Sequence, residues 1–201
     1  GESAYVKMLQ SVARRNGQFI VSGFNEKTSK GLYNSALLIG PEGIQSVYRK
    51  MHLFMNEKDY FLPGDGKLEV TDTGSGKIGM QICFDYLFPE PWRLLAMKGA
   101  DIIVHPSNLL TRNAQKALPG IAIMNRIHII TANRTGSEGD LIFNGNSMVI
   151  DVSGEIVARA SDAGNEVLRA EINPLLAQDK MITPRNHVFE DRRPEQYGQD
   201  N

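Results

Sequence analysis

The sequence has little sulfur chemistry to offer: among its 201 residues there is a single cysteine, Cys83. One cysteine excludes an internal disulfide, which suits a reducing compartment. An excess of either charge is also missing. Twenty-two Lys and Arg stand against 23 Asp and Glu, for a formal net charge of −1. That balance leaves no electrostatic footprint for nucleic acid and no acidic tail for a cationic partner. Long apolar runs are absent, Ile102-Ile103-Val104 being typical, whereas about 20 apolar residues are needed to span a bilayer. With no leader of the secretory type to read, the expectation is a cytoplasmic protein without a membrane partner. No glycine loop for phosphate is present. The four histidines show no metal-ligand spacing with Cys83, so neither metal nor cofactor is expected.

What is present fits one globular domain over residues 1–201, with 41% hydrophobic and 22% charged residues and no repeat or linker. Ser3 caps an expected helix with Val6, Leu9, Val12 and Ala13 on one face and Gly17 at its end. Phe19–Val21 and Tyr33–Ile39 read as strands, and Ile44–Tyr48 returns across the turn Gly40-Pro41-Glu42-Gly43. Residues 50–67 read as a long loop, of the kind that is often functional. Lys77–Ile82 is an expected strand, followed by a sharp connection through Cys83 to Pro89 and a helix over Pro91–Met97. Asp101–Val104 and Ile127–Ala132 are expected strands on either side of a helix over 112–126. Ser147–Ile150 and Glu155–Val157 form a hairpin, Val167–Ile172 is a last strand, and Pro174 begins a short helix. Residues 183–201 form a polar, extended tail. Strands alternating with helices, interrupted by hairpins, indicate mixed sheets covered by helices: an α+β chain of layered α/β type.

Three segments concentrate reactive side chains. Cys83 ends a strand just before a helix, and a nucleophile on such a turn is exposed to substrate beside backbone N–H groups. Lys50 and His52 follow another strand end, and Glu57 comes next in the same loop. Strand ends of layered α/β folds are where sites usually form.

These segments read Tyr-Arg-Lys-x-His-Leu-Phe at 48–54, Glu-x-x-x-Phe-x-Pro-Gly at 57–64 and Gly-x-x-Ile-Cys-Phe-Asp-x-x-Phe-Pro-Glu at 79–90. Further strings are Lys-Gly-Ala-Asp at 98–101, His-Pro-Ser-Asn at 105–108, Asn125-Arg126, Thr-Ala-Asn-Arg-Thr-Gly at 131–136 and Asp191-Arg192-Arg193-Pro194. In this order the set resembles the nitrilase superfamily of carbon–nitrogen hydrolases, most closely its compact single-domain microbial amidases and nitrilases. The resemblance implies a four-layer α-β-β-α sandwich. It also implies a catalytic Cys83, Lys50 and Glu57 that cleave a small amide or nitrile to the acid and ammonia through a thioester or thioimidate. Phe84, through its backbone N–H, would stabilise the oxyanion; Tyr86 and the stretch from Pro106 through Asn108 to Leu110 would wall the pocket. Stacked homodimers, or higher homo-oligomers, are implied as well.

One part of the family pattern is unmatched. Its general-base glutamate lies in an early Pro-Glu segment, and Glu2 comes too late in the order to be assigned to it. The expectation is therefore a piece of a longer chain, lacking the first strand–helix–strand unit, about 60 residues by the length of such units. Two readings stay open: an amidase or nitrilase, and a non-catalytic or truncated homologue that binds a carbonyl ligand or a partner protein. A Cys–His dyad drawn from His52, His105, His128 or His187 is the rival mechanism. Tyr86 and Trp92 are open to two readings, pocket contact or simple packing.

Overall fold

A computed structural model describes residues 3–197. In chain order the elements are α1 (Ala4–Asn16), β1 (Ile20–Lys27), β2 (Leu32–Gly40), β3 (Gly43–Arg49), α2 (Glu57–Tyr60), β4 (Thr71–Asp72), β5 (Lys77–Met80), α3 (Pro89–Met97), β6 (Ile102–Ser107) and α4 (Asn113–Asn125). They continue with β7 (His128–Asn133), β8 (Thr135–Glu138), β9 (Leu141–Asn144), β10 (Met148–Ile150), β11 (Ile156–Arg159), β12 (Met181–Thr183) and β13 (Asn186–His187).

Local chemistry accounts for α1. The Ser3 side chain accepts the Val6 N–H at 3.3 Å, and Gly17 ends the helix in the left-handed region at φ 61°. Val6 and Ala13 are buried against Leu37 and Ile39 of β2, with Leu9 packed alongside. Strands β1, β2 and β3 form an antiparallel sheet in that order. Alternation along β2 sends Leu37 and Ile39 to α1, while Ala36 and Leu38 join the main core on the opposite face.

The second sheet has the order β11-β10-β7-β6-β5-β4, with β5, β6 and β7 parallel and the remaining pairs antiparallel. Its β5–β6 and β6–β7 connections carry α3 and α4, as parallel crossovers require. Gly79 of β5 faces α3 closely, since a Cβ there would stand 3.1 Å from the Leu95 side chain. Ile103 pairs with Gly79 in register and Ile129 pairs with Ile103, so this face carries the buried layer beneath Trp92, Leu95 and Leu118. The four layers are thus α1, the three-stranded sheet, the six-stranded sheet, and α3 with α4. Among the described residues no helix is long and apolar enough to cross a membrane.

Three expectations need correction. The loop over 50–67 contains a full turn of helix, α2. Residues 167–172 form no strand: their side chains are mostly exposed, Val167 at 84%, and no neighbouring strand supplies a ladder. The tail is only partly extended, because β12 and β13 pair as a hairpin and Phe189 packs on the main core. The hairpin of β8 and β9, which sequence reading missed, projects beyond the end of β7.

Candidate active site

The carboxyl ends of the parallel strands β5 and β6 meet the end of β3 from the facing sheet, bringing Cys83, the 106–108 stretch and Lys50 together. Cys83 begins a 3-10 turn, Cys83–Leu87, and has φ 46°, a left-handed conformation that non-glycine residues rarely adopt. Such a residue persists only when its surroundings over-determine it. Here His105, wholly buried, sits 2.8 Å from the Cys83 carbonyl oxygen through Nε2. A carbonyl only accepts, so Nε2 carries the hydrogen and Nδ1 is left to accept from the Thr131 hydroxyl at 3.2 Å. Burial pushes the His105 pKa down to about 4, so the ring is neutral near pH 7.

The adjacent residues Arg49 and Lys50 diverge. Arg49 leaves outward to Glu26, donating from Nε at 2.8 Å and Nη2 at 2.6 Å, and this holds the Glu26 carboxyl below its ordinary range. Lys50 turns inward, is 1% exposed, and pairs through Nζ with Glu57 Oε2 at 2.5 Å. Its backbone is held on both sides, by Asn34 O at 2.8 Å and by the Gly64 N–H at 2.8 Å. Glu57 accepts two further hydrogen bonds: Oε2 also takes the Phe54 N–H at 2.7 Å, and Oε1 takes Asn34 Nδ2 at 2.9 Å. Glu57 thus ties Lys50 to the Phe54 backbone and to Asn34.

Burial is the main influence on the Cys83 thiol and pushes its pKa above the ordinary value. Lys50 opposes this, as do the backbone N–H groups of Asn108 and Phe84, whereas the Glu57 charge adds to it. None of the four histidines bonds the thiol. His52 Nδ1 goes to Asp85, His105 to the Cys83 carbonyl, His128 to Asn173 O, and His187 Nδ1 accepts from Phe189 and Glu190. The arrangement gives a Cys–His dyad no support.

Cys83 and Glu57 open on a cavity of about 1040 Å³ whose walls include Pro106, Asn108, Phe54 and Phe143. Lys50 lies behind that wall. Phe84 contributes its backbone, while its ring packs against Phe54 at 4.9 Å and edge-on to Phe88 at 5.5 Å. Tyr86 needs correction as a wall residue: it is buried in the core beside Phe84 and does not line the cavity. Trp92 is packing, fully buried with its indole N–H on Asp85 O at 3.0 Å. Sequence reading missed Asn34 and Asp85 as site-building residues and offered His105 only as a candidate for a Cys–His dyad, although Asp85 and His105 stand inside the strings at 79–90 and 105–108. It also missed the far wall supplied by Glu138, Leu141 and Phe143, for which no local signal existed. Glu2 lies outside the described residues.

The layered fold, with a cysteine turn and a buried lysine paired to a glutamate at the ends of the strands, is that of the nitrilase superfamily. The chain belongs to the carbon-nitrogen hydrolase family, whose description it matches over residues 1–180. A nitrilase from Pyrococcus abyssi is 44% identical over 196 residues, spanning 98% of this chain and 75% of that one. The solved carbon-nitrogen hydrolase from Helicobacter pylori G27 superposes with a TM-score of 0.81 at 32% identity, covering 87% of this chain and 68% of the other. An amidase from Nesterenkonia sp. AN1 superposes with a TM-score of 0.77 at 26% identity, over 88% and 70% of the two chains. It is described with the acetamide moiety of fluoroacetamide covalently added at its active site cysteine, and in another variant in complex with butyramide.

Proposed function

We propose that Cys83 is the nucleophile of a hydrolase for small amides or nitriles, with Lys50 as its electrostatic partner and Glu57 as the group that orients Lys50. The observation that carries this reading is the left-handed Cys83 turn at the cavity wall, with Lys50 as the cation acting on its thiol. In the amide reaction the thiol sulfur bonds the carbonyl carbon and the carbon–nitrogen bond breaks. The thiol proton ends on the nitrogen, which leaves as ammonia. Water then cleaves the thioester, releasing the acid and restoring the thiol. A nitrile would give a thioimidate, which takes up one water and loses ammonia to reach the same thioester.

The Phe84 N–H and the Lys50 charge stabilise the oxyanion of both steps. Asn108 and Pro106 face the substrate, and the reaction uses no cofactor. The acyl group is small and aliphatic, a reading supported by the butyramide-bound amidase to which the chain is similar. The exposed apolar residues Leu94 and Met97 of α3 and Ile123 and Met124 of α4 support a homodimer built on these helices.

The test is ammonia release from a panel of short amides and nitriles. Alkylation of Cys83 by iodoacetamide and the substitution Cys83→Ala are each expected to abolish it while leaving the melting curve in place. Turnover in a folded Cys83→Ala protein would sink the reading.

A further inference from the structure

The proposed reaction needs Lys50 and Cys83 in a fixed relation, yet the two residues follow strands of different sheets. Asp85 joins them. It is fully buried, two residues beyond Cys83, and both of its carboxylate oxygens are used. Oδ1 accepts the His52 backbone N–H at 3.1 Å and the His52 Nδ1–H at 2.7 Å. Oδ2 accepts the Tyr48 hydroxyl at 2.8 Å and the Ile82 N–H at 3.0 Å. Three of these donors thus belong to the residues two before and two after Lys50, and the fourth belongs to the residue immediately before Cys83.

The backbone of Asp85 is tied as firmly. Its N–H donates to Ile82 O at 3.0 Å, and its carbonyl accepts the Trp92 indole N–H at 3.0 Å, which ties the turn to α3. The His52 ring is itself held, stacked on Phe88 with centroids 3.6 Å apart and an interplanar angle of 10°. Burial and the neighbouring Asp85 push the Tyr48 hydroxyl far above its ordinary value, so it stays a donor. A buried carboxylate is costly to desolvate and is tolerated only when fully hydrogen-bonded. This one has that satisfaction, drawn from both halves of the site. Asp85 has no atom on the cavity wall, so it acts through other residues.

We infer that Asp85 is a positioning residue, a brace that sets the register between the Lys50 loop and the Cys83 turn, with His52 and Tyr48 as its two side-chain arms. The inference rests on the roles proposed for Cys83 and Lys50. Displacement of a reacting pair by about 1 Å costs on the order of 10²-fold in rate, and a slack brace permits such a displacement. The charged groups facing the thiol are Lys50 and Glu57. Loss of register weakens the Lys50 influence and leaves burial to dominate.

The experiment uses the full chain with Asp85→Asn, Tyr48→Phe or His52→Gln. It reads three quantities: the melting temperature, the pH profile of Cys83 alkylation by iodoacetamide, and kcat and KM for butyramide. Asn keeps the shape of Asp85 but turns one acceptor into a donor facing other donors. In Asp85→Asn the alkylation profile is expected to move to higher pH, with the rate at pH 7 lower by about tenfold, one pKa unit's worth. The kcat is expected to fall on the order of 10²-fold, with KM changing far less. Tyr48→Phe and His52→Gln each remove one arm and are expected to give smaller shifts in the same direction.

A folded Asp85→Asn protein with the parent's alkylation profile overturns the inference, even if its melting temperature is lower, because a merely structural role moves only the latter. Should Asp85→Asn fail to fold, parent profiles in both single-arm variants overturn it equally. The alkylation profile is read whether or not butyramide is turned over. Failure of the underlying reading looks different: turnover in the parent chain would then survive alkylation of Cys83.

Discussion

Lys50 and Glu57 form a pair with unequal surroundings, the lysine side chain at 0% exposure and the glutamate at 25%. Removing the cation by Lys50→Met leaves Glu57 with an unfilled acceptor and Cys83 without its opposing charge. Stability is expected to fall by about 1 kcal/mol, the low end for a charged acceptor that loses one partner while it keeps access to solvent, which urea unfolding would measure. Amide turnover is expected to drop on the order of 10²-fold or more, the cost of losing an oxyanion-stabilising group. His105 makes a second prediction. Its pKa is about 4 in the folded protein, against an ordinary 6.5, so the unfolded chain takes up the proton first. Its contribution is complete above pH 6.5 and is lost as pH falls toward 4, at roughly 1.4 kcal/mol per pH unit in that window. The urea midpoint should decline over this range in the parent chain, and His105→Gln should flatten that decline.

The connections after the strands hold the proposed catalytic residues, and their placement depends on close backbone approach. Gly64 shows this most directly: a Cβ added there would stand 2.2 Å from Arg49 O, a backbone atom that cannot move without shifting Lys50. Gly64→Ala is expected to destabilise the chain by about 2 kcal/mol, at the level of overpacking, and to lower turnover with the loop; calorimetry beside an ammonia assay would check both. The elements that sequence reading placed well are those with local causes. The α1 helix has its cap and its left-handed glycine, and the β2–β3 and β10–β11 hairpins have their turns and apolar strands. Residues 167–172 were misread because Val167, Leu168 and Ile172 satisfy a strand's composition, whereas a strand exists only where a second chain segment supplies hydrogen bonds. The β8–β9 hairpin escaped because β8, Thr-Gly-Ser-Glu, has no apolar residue and β9, Leu-Ile-Phe-Asn, is too short to show alternation.

Two sheets packed face to face with helices outside leave the proposed site at one end of the strands and apolar side chains exposed on the helix faces. Exposed apolar side chains on α3 and α4, Leu94, Met97, Ile123 and Met124, range from 47% to 51% exposure. Sedimentation velocity is expected to show a dimer at micromolar concentration, and Leu94→Glu combined with Ile123→Glu is expected to shift the boundary to the monomer. A monomer in the parent chain would remove the homodimer from the proposal while leaving the site intact, since every interaction described for Cys83, Lys50 and Glu57 is made within one chain.

Local sequence was enough to place Cys83 at the end of a strand and to put Lys50 and Glu57 in one loop, because caps, turns and alternation act over a few residues. The ordered strings extended this to the family and its layered fold. Only tertiary structure could show that Asp85, within the cysteine string, bonds Tyr48 and His52 in the lysine string. The same holds for His105, which takes the Cys83 carbonyl from a different strand, and for Tyr86, which packs inward. Those contacts span 37, 33 and 22 residues of sequence for Tyr48–Asp85, His52–Asp85 and His105–Cys83. The Tyr48 and His52 contacts come into being only when the two sheets close on each other, and the His105 contact only when β5 and β6 pair side by side; no periodicity in the chain encodes either distance.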